Sequence, residues 1–118
     1  MIAVIFEVIP HEGKKQEYLD IAAILKSELQ KIEGFISIER FQSLTDPKKI
    51  LSLSFWKDEE SVQQWRNLEI HRSAQAKGRK EIFKGYRLRI AVVSRDYGMF
   101  DRKEAPADSK IFHNKTGE

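Results

Sequence analysis

The sequence contains no cysteine among its 118 residues. A chain without thiols forms no disulfides, offers no thiolate to a metal ion and has no cysteine nucleophile. This composition fits a reducing compartment, and we expect a cytoplasmic protein. The apolar run MIAVIFEVIP at residues 1–10 has no basic segment before it and ends too early to cross a bilayer or act as a signal peptide. We therefore expect no membrane segment and interpret this run as a buried strand.

The sequence also lacks the short motifs of common cofactor and catalytic sites. It contains no GxGxxG or GxxxxGK[ST] phosphate loop, no HExxH, no GxSxG and no EF-hand loop. The three histidines, His11, His71 and His113, are far apart in the chain, so we predict no protein-bound metal. The net charge of +3 comes from interspersed basic and acidic residues, and no nucleic-acid-binding pattern occurs. We predict no nucleic-acid partner.

The spacing of apolar residues predicts one α+β domain over residues 1–95. Residues 2–9 are apolar on both faces, as in a central strand, and residues 14–32 repeat apolar positions every three or four residues, as in an amphipathic helix. The next segments predict strands at 35–42 and 50–56, a helical region from the N-cap Asp58 to about Gly78 with a break near 67–69, and a strand at 86–94. The order βαββαβ indicates a ferredoxin-like fold with a four-stranded antiparallel sheet.

Residues 96–118 differ in composition and form a polar C-terminal tail. The tail contains two isolated apolar pairs, Met99–Phe100 and Ile111–Phe112. It is either a poorly ordered terminus or an arm that uses these pairs to contact a partner subunit.

The predicted strands carry more apolar residues than one layer of helices can cover. Both helices of a ferredoxin-like domain lie on one face of the sheet, so the other face of a monomer meets water. The first strand has no polar face, and the last strand carries Leu88 and Ile90 on one side and Ala91 and Val93 on the other. Pairing two such faces gives a twofold dimer. We predict a homodimer.

One stretch of polar residues lies within the third strand. Ser52, Ser54 and Trp56 share one face of this strand, while its leucines and Phe55 share the other. Buried hydroxyls need hydrogen-bond partners, and two interpretations satisfy that need. Either the serines bond to each other, the backbone or water beside a core tryptophan, or they line a mostly apolar cavity suited to a planar aromatic ligand.

His71 is the strongest candidate for proton transfer. Histidine has the side chain whose ordinary pKa is best placed for acid–base chemistry near neutrality. Its helical neighbours include Ala74 and Gly78, and such small residues would leave room for a pocket beside the imidazole. The alternative is an ordinary residue on a half-exposed amphipathic helix.

The segment SFWKDEESVQQWRNLEIHRSAQ, at residues 54–75, resembles the antibiotic biosynthesis monooxygenase family of dimeric α+β barrels. The resemblance covers residues 1–95 and implies a homodimer with a pocket between sheet and helices in each subunit. Some members of this family oxidise phenols or quinols to quinones with O₂ and use no metal or flavin. By position, the resemblance implies that Trp56 lines the pocket and that His71 accepts the proton. The quinone-forming members carry an asparagine where this chain has Ser52.

The resemblance therefore implies a monooxygenase that oxidises a small aromatic phenol or quinol with O₂ and needs no cofactor. We expect Trp56 and Trp65 to line the pocket, Ser52 and Ser54 to orient the substrate, and His71 to act as the catalytic residue.

Three questions stay open at this point. The dimer could instead be a non-catalytic ligand-binding module. It could also bind or degrade haem, as other members of the family do, although their histidine ligand falls on Gln75 and their first-strand asparagine falls near Phe6. Arg66 and Arg79 either hold an anionic group of a substrate or are solvated at the surface.

Overall fold

A computed structural model describes the backbone of residues 1–116 and the side chains of residues 1–68, 72–73, 75–77 and 80–112. The elements are, in order, β1 (Ile2–Pro10), α1 (Lys15–Leu29), β2 (Phe35–Gln42), β3 (Ile50–Trp56), α2 (Glu59–Asn67), α3 (Glu69–Lys77), a π-helical turn (Gly78–Ile82), β4 (Phe83–Val92) and α4 (Ala107–Thr116). No helix in these ranges is long and apolar enough to cross a membrane.

The four strands form one antiparallel sheet in the order β2-β3-β1-β4. This topology, together with the element order, confirms the predicted α+β ferredoxin-like class. The apolar strand β1 lies in the interior of the sheet, where it pairs with β3 on one side and β4 on the other. A strand that is apolar on both faces is suited to this central position.

Several boundaries differ from the sequence prediction, two of them by three residues. Helix α1 ends at Leu29 instead of near residue 32, because the chain then tightens into turns in which the Lys31 N–H bonds to the Glu28 carbonyl. Strand β4 begins at Phe83, three residues earlier than predicted, because the π-helical turn ends at Ile82 and Phe83 already pairs with Pro10. The tail contains helix α4, which no periodic pattern of apolar residues predicted.

The core between the sheet and its helices consists of two separate clusters. One contains Ile2, Leu29, Trp56 and Val62, and the other contains Val8, Tyr18, Ile50 and Ile82. The clusters contact opposite ends of β1, which lie roughly 20 Å apart at the usual rise of a strand. The middle of β1 and β3 therefore lies between two packed regions, and this is where a cavity forms.

The opposite face of the sheet carries the other set of alternating residues. Ile5, Leu53 and Phe55 lie there and are only half-buried. The same face carries an ion pair in which Arg89 Nη1 lies 3.3 Å from Glu7 Oε1. This face is apolar at its centre and charged at one side.

Candidate active site

A cavity of about 180 Å³ lies between the helix-facing side of the sheet and helices α1 and α2. Its walls are mostly apolar, and they include Phe6 on β1, Leu25 on α1, Ile38 on β2 and Val62 on α2. All four side chains predicted to contact a substrate line this cavity: Ser52, Ser54, Trp56 and Trp65. An apolar recess with a few polar groups is the usual form of a small-molecule site.

The cavity opens towards β4. Tyr86, Leu88 and Ile90 belong to its lining, yet they are 39%, 45% and 41% exposed to solvent. These side chains, which face both the cavity and the solvent, mark its mouth. A ligand would enter over β4 and move inwards over β1 and β3 towards β2.

The two serines of β3 differ in their partners. The indole Nε1–H of Trp56 donates a hydrogen bond of 2.9 Å to Ser54 Oγ, and both side chains are buried. Ser54 therefore fixes the orientation of Trp56, which also packs edge-on against Phe35 at 5.3 Å between ring centroids. Ser52 is buried as well but makes no side-chain hydrogen bond to any residue that the structure describes. Its hydroxyl is the one that remains for a ligand.

Helix α2, which carries Trp65, begins at a well-formed N-cap. Asp58 Oδ1 accepts hydrogen bonds from the Ser61 N–H at 2.9 Å and from the Ser61 hydroxyl at 2.7 Å. These bonds stabilise the charged carboxylate and lower the pKa of Asp58 below its ordinary value. Gly34 packs directly against Ser61, and its φ of +94° belongs to the left-handed region that favours glycine. The cap and this close contact fix the start of α2 against the end of β3.

Helix α3 follows α2 after a break at Leu68, whose backbone is extended. Gln75 on α3 lines the cavity, and it is the residue onto which the family resemblance placed the haem ligand in the sequence analysis. The catalytic candidate His71 lies on α3 four residues before Gln75, and its side chain is outside the described residues. The side chain of Arg79 is outside them as well. Arg66 lines the cavity but is exposed to solvent.

Arg40 is a cavity residue that the sequence analysis did not single out. It lies on β2 directly opposite Ser52, lines the cavity and places its guanidinium carbon 6.0 Å from the centre of the Tyr18 ring. Its Nε is buried and has no hydrogen-bond partner among the described residues. The register between β2 and β3 places Arg40 on the cavity side of the sheet, and this register is visible in the structure but not in the local sequence pattern.

The described lining of the cavity contains few side chains that could act as acids, bases or metal ligands. It contains no aspartate, glutamate or histidine, and no group of three metal-ligating side chains occurs in the parts of the chain that the structure describes. The polar groups of the lining include the Ser52 hydroxyl, the Gln75 amide, the guanidinium groups of Arg40 and Arg66, and the hydroxyls of Tyr18 and Tyr86. They donate hydrogen bonds to oxygen atoms of a ligand.

The sequence matches the profile of the antibiotic biosynthesis monooxygenase family over residues 1–77. It is 47% identical over 94 residues to the jasmonate monooxygenase ABM of Pyricularia oryzae. The aligned region is 80% of this chain but 44% of that relative, so the chain spans less than half of the relative's length.

Solved structures share the fold. A conserved protein from Methanosarcina mazei Go1 aligns with a TM-score of 0.70 at 26% identity, over 76% of this chain and 89% of that one. A point mutant of SnoaB, a cofactor-independent oxygenase from Streptomyces nogalater, aligns with a TM-score of 0.70 at 8% identity, over 80% of this chain and 94% of the other.

Proposed function

Because the chain belongs to the antibiotic biosynthesis monooxygenase family, we propose that it is a monooxygenase that oxidises a small phenol or quinol with O₂ in this cavity. The observation that carries the proposal is the composition of the cavity, which is apolar except for a few hydrogen-bond donors. Such a site holds a planar ring, excludes water from it and contacts its oxygen atoms.

The reaction needs no external reductant because the substrate supplies the electrons. Oxidation of a phenol to a quinone by one O₂ places one oxygen atom on the ring carbon and releases the other as water. The four electrons that reduce O₂ come from the ring. Deprotonation of the phenol begins the reaction, since the anion transfers an electron to O₂ more readily than the neutral phenol does. The protein has to position the ring, accept the proton and exclude bulk water.

Each proposed residue has a distinct part in this scheme. The rings of Trp56 and Trp65 contact the substrate ring, and the free hydroxyl of Ser52 donates a hydrogen bond to a substrate oxygen. Ser54 acts through Trp56 by holding the indole in place. His71 accepts the phenolic proton; its position on α3, one turn before the cavity residue Gln75, supports this role.

A second candidate substrate is an aliphatic carboxylate of the jasmonate type. The name of the Pyricularia oryzae relative suggests it, and the half-buried Arg40, whose buried Nε has no partner among the described residues, favours it. Hydroxylation of an unactivated C–H bond by O₂ consumes two electrons that such a substrate does not supply. This second reaction would therefore require a reductant such as reduced flavin or nicotinamide, and the phenol reaction would not.

The test is oxygen consumption by the purified protein with a panel of dihydroxynaphthalenes and no added reductant. We expect uptake above the uncatalysed rate, and label from ¹⁸O₂ in the quinone. His71→Ala should lower the rate by about 10²–10⁴-fold, the usual contribution of a general base. His11→Ala is the matched control, since His11 is exposed in the turn after β1. Uptake at the uncatalysed rate with every quinol would refute the proposal and favour a binding module.

The haem alternative has its own test. Gln75 cannot provide the imidazole that haem-binding relatives place there, so we expect no shift of the Soret band when the protein is titrated with micromolar haem. A clear shift would replace the phenol proposal with the haem one.

We also propose that two chains pair through the sheet face that carries Ile5, Leu53 and Phe55. These side chains are half-buried in the single chain, and the centre of this face is apolar. A stable interface buries roughly 800 Å² on each partner, which is comparable to one face of a four-stranded sheet. Leu53→Arg should convert a dimer into a monomer in analytical ultracentrifugation. A wild-type chain that sediments as a monomer at micromolar concentration would contradict this assignment.

A further inference from the structure

We propose that Arg40 and Ser52 form an anion site within the cavity, and that the substrate is an organic carboxylate whose apolar part lies over β1 and β4. This inference rests on the proposed function, because it names the class of substrate that the same cavity takes. It assigns a specificity role to a residue that the sequence analysis did not single out.

The first argument is the unpaired donor. Arg40 Nε is buried without a hydrogen-bond partner among the described residues, and leaving a buried polar group unpaired is unfavourable. A guanidinium that only filled space would be replaced without loss by an apolar side chain. The Tyr18 ring contacts the cation from 6.0 Å, but an aromatic face does not accept the Nε–H as an oxygen atom would.

The second argument is the absence of a protein carboxylate. The described lining contains no aspartate or glutamate, and none of the ion pairs in the described part of the chain involves Arg40. The acidic residues that do form ion pairs, including Glu7 and Glu17, lie outside the cavity lining. A half-buried cation that forms no ion pair within the described chain is complementary to an anionic ligand, and the guanidinium matches a carboxylate in a bidentate geometry.

The third argument is the order of side chains across the sheet. The strand registers place one residue from each strand in a single row, and this row consists of Arg40, Ser52, Phe6 and Leu88. The residues on β2 and β3, Arg40 and Ser52, donate hydrogen bonds, whereas those on β1 and β4, Phe6 and Leu88, are apolar. Neighbouring strands are about 4.8 Å apart, so the row is roughly 14 Å long. A ligand with a carboxylate at one end and a ring at the other would match this row, with the carboxylate towards β2 and the ring towards the mouth.

Arg66 also lines the cavity, but it does not have the same properties. Its side chain is exposed to solvent, and an exposed charge gains little from an ion pair because water competes for both partners. Arg40 is therefore the residue that would distinguish an acid from a neutral analogue of the same shape.

The test is isothermal titration calorimetry with 1-hydroxy-2-naphthoate and with its methyl ester, which has a similar shape and no charge. We expect wild-type protein to bind the acid at least about tenfold more tightly than the ester, as loss of a charge-assisted hydrogen bond predicts. Arg40→Gln should remove this preference, and Arg40→Lys should retain only part of it because lysine lacks the planar fork. Arg87→Gln, which changes an exposed arginine on β4 that does not line the cavity, should leave the preference unchanged.

Three outcomes would overturn the inference: equal binding of acid and ester by the wild type, no binding of the acid at millimolar concentration, or a preference that survives in Arg40→Gln. Circular dichroism establishes that each variant is folded, and a ratio of two affinities in the same variant does not change through loss of folded protein alone. Binding requires no O₂, so a protein that binds the acid but consumes no oxygen would refute only the monooxygenase proposal. A protein that oxidises neutral quinols but ignores the acid would refute only the anion site.

Discussion

Ser54→Ala should destabilise the protein because it leaves the buried indole N–H of Trp56 without its acceptor. Trp56 is 1% exposed and Ser54 is 6% exposed, so water has no access from which to replace the 2.9 Å hydrogen bond. An unpaired buried donor costs about 1–3 kcal/mol. With a urea m-value of about 2 kcal/mol/M, the midpoint of urea unfolding should fall by roughly 0.5–1.5 M.

A double-mutant cycle separates this effect from loss of packing. Trp56→Phe removes the donor and reduces the core, so its own cost is a mixture of terms. When the donor is already absent, Ser54→Ala should cost much less than it does in the wild type. We expect the two substitutions to be non-additive by about 1 kcal/mol or more, with the double variant more stable than the sum predicts.

Ser52→Ala is the matched control, since Ser52 lies two residues away on the same face and is 8% exposed, but its hydroxyl has no partner among the described residues. Its free energy of unfolding should change by less than about 0.5 kcal/mol. All variants should be compared at one protein concentration, because unfolding of a dimer depends on concentration. Additive effects of Ser54→Ala and Trp56→Phe, or an equal cost of Ser52→Ala, would refute the reasoning.

Three further predictions concern stability. Gly34→Ala should lower the free energy of unfolding by about 2–4 kcal/mol in urea titrations, because the φ of +94° is unfavourable for alanine and the new Cβ would overlap Ser61; a cost below 1 kcal/mol would contradict the close contact. Arg40→Met should raise the melting temperature, because it removes a buried unpaired N–H while keeping the aliphatic volume; a lower melting temperature would show that Arg40 has an internal partner. Glu17 forms ion pairs with Lys77 and Lys14, and these bonds lower its pKa below 4.5. Its contribution is present above pH 4.5 and is lost as pH falls through the lowered pKa. Glu17→Gln should therefore lower the melting temperature at pH 7, and the difference from wild type should shrink towards pH 3.

The sequence was sufficient for the features that depend on local pattern. The bounds of β3, at residues 50–56, follow from strict alternation, and the Asp58 cap follows from the preference of helix starts for a short acidic side chain. The break between α2 and α3 was predicted near residues 67–69 and occurs at Leu68. The four residues predicted to contact a substrate all line the cavity, because β3 and α2 each present a regular periodic face; their contact with a substrate stays a prediction.

Features that depend on packing between elements were not predicted. The π-helical turn at Gly78–Ile82 extends the helical region towards β4, and its last residue, Ile82, is 1% exposed in the second core cluster. Its contacts with Val8 and Tyr18 involve residues far away in the sequence. Helix α4 was missed for a different reason: its large apolar residues, Ile111 and Phe112, are adjacent and both exposed, so they give no helical period.

A single β-bulge at Ile36 in β2 determines which charged side chain lines the cavity. Strict alternation from Phe35, which packs against Trp56, would place Ser37 and Glu39 on the helix-facing side of β2. The register instead shifts between Phe35 and Ser37, because Phe35 pairs with Trp56 and Ser37 already pairs with Phe55. Ile36 is the extra residue, it is 53% exposed, and after it the alternation is inverted.

As a consequence, Ile38 and Arg40 line the cavity and Glu39 does not. Without the bulge, Glu39 would take the place of Arg40 opposite Ser52. Its carboxylate would then repel the anions that we propose the cavity binds. The bulge follows from the register of β2 on β3, since nothing in the local pattern FISIERFQ marks Ile36 as unpaired. The pairing of β2 with β3 therefore decides whether the cavity contains a positive or a negative side chain. This is why the local sequence pattern did not indicate Arg40, although Arg40 is the residue that most restricts the class of substrate.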